Sequence, residues 1–153
     1  MEAAKVLVIV GSKSDLPKME ECQQMLESLG VPSSLVVASA HRNPEKVTES
    51  IREAEEGGVE VIIAGAGMAA HLPGVVAAQT DLPVIGVPLD SGLPGGVDAL
   101  FSIVQMPPGV PVAAVAVGGS KNAAVLAARI LSIKYPDIGE RLKEYRKKLA
   151  EGS

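Results

Sequence analysis

His41 and Arg42 stand side by side in "SAHRNP" (39–44), and a second histidine, His71, closes "AGAGMAAH" (64–71). An imidazole is the side chain best suited to moving a proton near neutral pH, and an arginine beside it is the natural bidentate partner of a phosphate or carboxylate. A third segment, "GSKSD" (11–15), offers the hydroxyls of Ser12 and Ser14, a run of backbone N–H groups and the carboxylate of Asp15 at a helix start. Anions are favoured at such a start, so Ser12 and the loop amides suit a phosphate and Asp15 suits a sugar hydroxyl. In "AGAGMAAH", Gly65 and Gly67 permit close approach of backbone to a ligand. Each segment also has a bland reading: Ser14 or Asp15 as a helix cap, His41 as a surface residue, the glycines as a tight packing turn.

Two histidines without a third ligand make a poor metal site, and the single Cys22 excludes a cysteine cluster and an internal disulfide. Cys22 shares a helical face with Met19, Leu26 and Leu29, which reads as a packed thiol rather than a nucleophile. "GSKSD" is not a Walker loop, and no G-x-G-x-x-G turn with an acidic partner is present, so neither a P-loop nucleotide nor a dinucleotide is indicated.

The elements that must position these segments follow from hydrophobic patterning. Short apolar runs alternate with stretches of helical period, the signature of parallel strands joined by crossover helices. The strands are read as "KVLVIV" (5–10), "SLVVAS" (34–39), "VEVIIAG" (59–65), "LPVIGVPL" (82–89) and "VPVAAVAVG" (110–118). The first helix is expected to run to about Leu29 with Pro17 in its first turn, and the second from Pro44 to about Glu56, capped by Asn43 and ended by Gly57 and Gly58. Further helices are expected up to about Gln79, over "VDALFSIVQ" and over "SKNAAVLAARILSI", with an amphipathic one at 137–151. The expected fold is a single three-layer α/β/α domain over 1–153, flavodoxin-like, with a doubly wound parallel sheet of five strands in the order 2-1-3-4-5. Ligands bind such sheets at the carboxyl ends of the strands, where all three chemical segments fall. "NAAVLAARIL" is apolar nearly all round, which predicts a second cover for that helix, supplied by another subunit.

Composition removes several functions. The chain of 153 residues is 47% hydrophobic but only 2% aromatic, and its net charge is −4, so stacking platforms and a basic footprint for nucleic acid are both missing. No apolar run approaches a membrane span or a signal-peptide core, which predicts a cytoplasmic protein without membrane contact. A receiver-type signalling domain would end its third strand in an aspartate, where this chain has "AGAG". A flavodoxin would sandwich its flavin between aromatics that the candidate loops lack.

Taken in order, "GSKSD", "SAHR", "AGAGMAAHLPG", "PVIGVP", "SIVQMPPGVPVA" and "NAAVLAARIL" cover nearly the whole chain and together resemble the PurE family of purine biosynthesis. The resemblance implies a flavodoxin-like subunit, a homo-octamer, a small-molecule aminoimidazole ribonucleotide as substrate, and no metal or organic cofactor. It implies that Ser12, Asp15 and Arg42 bind the ribonucleotide, that His41 is catalytic, and that Ser39, Gly67 and His71 line the site. "AGAGMAAHLPG" resembles the mutase branch, which isomerises the N5-carboxylated ribonucleotide, rather than the branch that carboxylates with free carbon dioxide. A non-catalytic nucleotide-binding module is the more distant alternative. Met68 stands where the family usually has glycine, Asn43 where it has threonine, and "DSGLPGGVDAL" departs from the usual pattern.

Overall fold

The computed structural model describes residues 2–152; Met1 and Ser153, the ends of the expected domain, lie outside the described residues. Five strands form one sheet: β1 (Val6–Val10), β2 (Ser33–Val37), β3 (Val61–Gly67), β4 (Val84–Leu89) and β5 (Ala113–Ala114). Their order is β2-β1-β3-β4-β5 and every pairing is parallel, as expected from the sequence. Six α-helices accompany them among the described residues: α1 (Glu20–Ser28), α2 (Pro44–Glu56), α3 (Leu72–Ala77), α4 (Val97–Val104), α5 (Ser120–Ser132) and α6 (Pro136–Glu151).

Alternation along the strands divides the core in two. Val6, Val8 and Val10 of β1 face one side with Val61 and Ile63, where α1, α5 and α6 bring Cys22, Leu26, Ala124, Leu131 and Ile138. Leu7 and Ile9 face the other side with Ile62 and Ala64, against Val47 and Ile51 of α2, Val76 of α3 and Ile103 of α4. The helix after β1 and the helix after β2 therefore cover opposite faces, which opens a crevice beyond the carboxyl ends of β1, β2 and β3. With scarcely any aromatic filling, close approach of layers depends on small residues. A Cβ on Gly86 in β4 would stand 2.5 Å from Ile103 Cγ2 and 2.9 Å from Val112 Cγ1. Gly86→Ala is expected to destabilise the fold by about 1–3 kcal/mol through overpacking, read as a lower urea midpoint at unchanged m-value.

Three sequence expectations change. The chain after β1 enters a 3-10 helix, Lys13–Met19, before α1 begins at Glu20, so Pro17 lies inside that 3-10 segment and not in the first turn of α1. β5 shrinks from the expected 110–118 to two residues. Gly86 uses the β5-facing edge of β4, its carbonyl accepting from Val115 N, and Pro88 on the same edge has no N–H to continue the ladder; its carbonyl accepts from Gly118 N instead. Finally, α5 is covered within the chain, by α1 and α6, rather than needing a second subunit for that face. The turn into α6 is tied to the start of β3: the Tyr135 hydroxyl donates to the Glu60 carboxylate, and Lys134 Nζ lies 3.3 Å from Glu60 Oε2. The tyrosine hydrogen bond, helped by Lys134 and Lys5, holds the Glu60 carboxyl below its ordinary range. No helix among the described residues is long and apolar enough to cross a membrane.

Candidate active site

Beyond the ends of β1, β2 and β3 lies a cavity of about 500 Å³, within the size range of small-molecule sites. Its walls come from all three loops: Ser12 and Asp15 from the first, Ser39, His41 and Arg42 from the second, Gly67, Met68 and His71 from the third. The residues expected to bind, line or act in the site thus meet in one place, whereas Gly65 lies outside the lining, packed against Met19 where a Cβ would stand 2.8 Å from the sulfur. A larger cavity of about 780 Å³ opens at the opposite edge of the sheet, around the start of β4. Its charged lining is Glu55 and Asp81 alone, with no cation or imidazole, so it lacks the groups that bind phosphate or move protons.

The loop after β2 is ordered by its own side chains. Asn43 Oδ1 accepts from Lys46 N at 3.2 Å and Pro44 opens α2, the capping read from the sequence. Ser39 Oγ accepts from Arg42 N at 3.1 Å and from Arg42 Nε at 3.4 Å. Arg42 Nη2 donates across to the carbonyl of Gly11 at 3.2 Å. The guanidinium is therefore clamped between the first and second loops, with its other N–H groups left for an anion. In the first loop Ser12 Oγ accepts from Ser14 N at 3.2 Å and lies 2.8 Å from Ser14 Oγ. Ser12, rather than Ser14 or Asp15, is the cap, so this residue serves both the helix and the cavity wall.

His41 and His71 come from different loops, yet His41 Nε2 lies 2.6 Å from His71 Nδ1 and the rings meet edge to face at 81°. A contact this short between two ring nitrogens requires one to donate and the other to accept, so a single proton lies between them and each tautomer choice dictates the other. Such a pair can take up or release a proton at either ring with little movement. Among the described residues no group of three or more histidines, cysteines, aspartates and glutamates converges on a metal-binding point.

Asp15 is only 6% exposed. Burial pushes its carboxyl above the ordinary range, opposed by the positive charges of Lys18 and Arg42. A folded pKa above the unfolded one means that the carboxylate costs stability at neutral pH, a cost that fades as pH falls through the raised pKa and vanishes below the ordinary value. Asp15→Asn is therefore expected to stabilise the free protein at pH 7, read as a higher Tm. The gain in Tm should shrink to nothing in acid; a pH-independent gain would contradict the burial origin.

Two further contributors were not picked out in the sequence. The Gly11 carbonyl is a backbone group that no residue type reveals. The loop after β4 is a second case: a Cβ on Gly67 would stand 1.7 Å from Ser91 Oγ, so Ser91 occupies the space the glycine leaves. Asp98 holds that loop, its Oδ2 accepting from Leu93 N at 3.2 Å. The glycines of "DSGLPGG" were the available signal.

The parallel five-stranded sheet and its cavity at the switch between β1 and β3 define a flavodoxin-like α/β protein, with a clamped arginine and a histidine pair at the ligand edge. Residues 5–152 match the family model described as AIRC, AIR carboxylase. The chain is 61% identical over 142 residues to the N5-carboxyaminoimidazole ribonucleotide mutase of Pyrococcus abyssi, covering 93% of this chain and 82% of that protein. It is 50% identical over 146 residues to the enzyme of the same name from Escherichia coli K12, covering 94% and 86%. The crystal structure of Treponema denticola PurE superposes with a TM-score of 0.85 at 31% identity, covering 96% of this chain and 92% of that one. The chain belongs to the AIR carboxylase, or PurE, family.

Proposed function

We propose that this protein is an isomerase of purine biosynthesis that converts N5-carboxyaminoimidazole ribonucleotide to the 4-carboxylated isomer. The observation that carries the reading is the 2.6 Å contact of His41 with His71 inside the cavity that Ser12, Asp15 and Arg42 also line. The mutase names of relatives at 50 to 61% identity support the choice of substrate.

Arg42, Ser12 and the loop amides hold the phosphate, and Asp15 takes a ribose hydroxyl; Ser39 orients Arg42, and Gly67 and His71 complete the wall. The carbamate C–N bond breaks, releasing carbon dioxide, and the electron pair left on the exocyclic nitrogen takes a proton from the histidine pair at His41. The imidazole C4 then attacks the retained carbon dioxide, a C–C bond forms, and the C4 proton returns to His41. Atoms and charge balance without an external energy source or a cofactor. Holding both fragments in one cavity makes recombination effectively unimolecular, which is worth many orders of magnitude in rate.

The whole of 1–153 is read as one domain working in the cytoplasm as a homo-octamer. Support for self-association comes from Val97, Phe101 and Val104, a row of exposed apolar side chains on α4. A second reading, carboxylation of the uncarboxylated ribonucleotide with free carbon dioxide, has the family description in its favour. One assay separates them: each ribonucleotide is offered without ATP or metal, the uncarboxylated one with bicarbonate, and the 4-carboxylated product is followed. Rapid product from the N5-carboxylated substrate alone is expected. Product only from the other substrate makes the protein a carboxylase, and product from neither leaves a binding module.

A further inference from the structure

Asp98, in the first turn of α4, reaches back over the loop that follows β4. Its Oδ2 accepts from Leu93 N at 3.2 Å, and a Cβ on Gly92 would stand 2.1 Å from the same oxygen. Only a glycine at 92 lets the carboxylate come this close to the loop backbone. The other oxygen, Oδ1, is buried without a hydrogen-bond partner. An unpaired buried acceptor costs stability, so its presence asks for a compensating use.

What the carboxylate holds is the seat of Ser91. Ser91 N donates to Leu89 O at 3.1 Å at the end of β4, and Ser91 Oγ fills the place where a Cβ on Gly67 would fall, 1.7 Å away. Gly67 is the last residue of β3 and pairs in register with Leu89. Two short turns follow it, Ala70 N donating to Met68 O at 2.8 Å and His71 N to Ala69 O at 2.7 Å, and they deliver His71 to His41. The link therefore runs from Asp98 through the loop backbone and Ser91 to Gly67 and His71. Arg42, Ser12 and Asp15 stand outside it: they belong to the loops after β1 and β2, which the bond from Arg42 to the Gly11 carbonyl ties to each other.

We propose that Asp98 is a positioning residue for the histidine pair, fixing the loop after β4 so that Ser91 braces Gly67 and holds His71 at 2.6 Å from His41. For its kinetic consequence the inference rests on the mutase reading above; the link itself does not. A proton shared by two ring nitrogens tolerates little misplacement, because a hydrogen bond weakens steeply with distance and angle. The other titratable and charged side chains lining the cavity with His71 are His41, Arg42 and Asp15, and the link touches none of them directly except His41.

The test compares purified Asp98→Ala, Asp98→Asn, Ser91→Ala and the double variant Asp98→Ala/Ser91→Ala with wild type. The readings, taken per folded protein, are kcat and KM with the N5-carboxylated ribonucleotide, the pH profile of kcat, and the downfield proton resonance of the shared ring N–H. In Asp98→Ala and Ser91→Ala, kcat is expected to fall about 10- to 100-fold with KM within about twofold, the cost of misplacing a reacting group while the binding groups stay put. In the same two variants the pH profile should shift and the resonance should weaken or vanish. Asparagine keeps an acceptor for Leu93 N, so Asp98→Asn should match wild type in every reading. The double variant should be no worse than the worse single one, because both substitutions act through one seat. A fall in Tm with pH profile and resonance unchanged makes Asp98 a residue of the fold alone and overturns the proposal. So do additive losses in the double variant, and an asparagine variant as impaired as the alanine one. Ser91 lies on the exposed loop, and its variant keeps the test decisive if Asp98→Ala does not fold. If wild type converts none of the N5-carboxylated substrate the mutase reading falls, while the resonance still decides the link.

Discussion

His41→Asn is expected to lower kcat by about 10²- to 10⁴-fold, the usual worth of a positioned acid–base group, with KM shifting by no more than a few-fold. The reason for choosing asparagine is geometric. Its amide is shorter than the ring and stops short of the position of His41 Nε2, so the link to His71 Nδ1 and the ability to carry a proton through the reaction are both lost without adding bulk to the cavity. Both half-reactions need that proton at the same place, first on the exocyclic nitrogen and then leaving C4. A single substitution should therefore suppress decarboxylation and recarboxylation together, and uncarboxylated ribonucleotide should not accumulate. Steady-state rates with the N5-carboxylated substrate check the first point and product partition checks the second. Turnover within tenfold of wild type, in a folded variant that binds substrate, would remove His41 from the proton path. A companion variant, His71→Asn, separates the pair: if His71 only sets the tautomer of His41, its loss should distort the pH profile more than it lowers the maximal rate.

Legibility in the sequence followed how local the cause was. α2 begins at Pro44 and ends at Glu56 as read, because its start and stop are written in adjacent residues: Asn43 caps, Pro44 opens, Gly57 follows. β5 was misjudged because its length depends on a partner strand. The run 110–118 is apolar but mixes valines with Pro111, three alanines and Gly118, which favour strand weakly, and the proline at 88 of β4 interrupts the ladder it would have joined. The cover of α5 failed for a similar reason, since an apolar surface declares that it must be buried but not which element buries it. In the site, the rule for parallel sheets brought three loops to one edge without any contact information. What it could not show is that the His41 and His71 rings would touch, because that depends on the lengths and turns of two loops remote in sequence. The left-handed backbone at Met68 was foreshadowed only by the resemblance, through the glycine usual at that position.

Arg42→Ala should raise KM for the ribonucleotide by about 10²- to 10³-fold, corresponding to the loss of one or two charge-assisted hydrogen bonds at roughly 1.5–3 kcal/mol each. The partners left behind, Ser39 Oγ and the Gly11 carbonyl, lie in exposed hydrogen bonds and are readily satisfied by water, so the fold should lose little. An effect on Asp15 is built in. Arg42 is one of the two charges that hold its buried carboxyl down, and without the guanidinium that carboxyl should rise further above its ordinary range. Arg42→Lys keeps a charge but not the fork that reaches Ser39 and Gly11 at once, and it should recover only part of the affinity. The decisive comparison uses the corresponding nucleoside, which lacks the phosphate. Wild type should prefer nucleotide to nucleoside strongly in kcat/KM, and Arg42→Ala should lose most of that preference by losing the nucleotide, not by gaining the nucleoside. If the variant weakens both substrates equally, Arg42 acts by shaping the loop that carries His41, and the phosphate must be sought at Ser12 and the amides of the first loop.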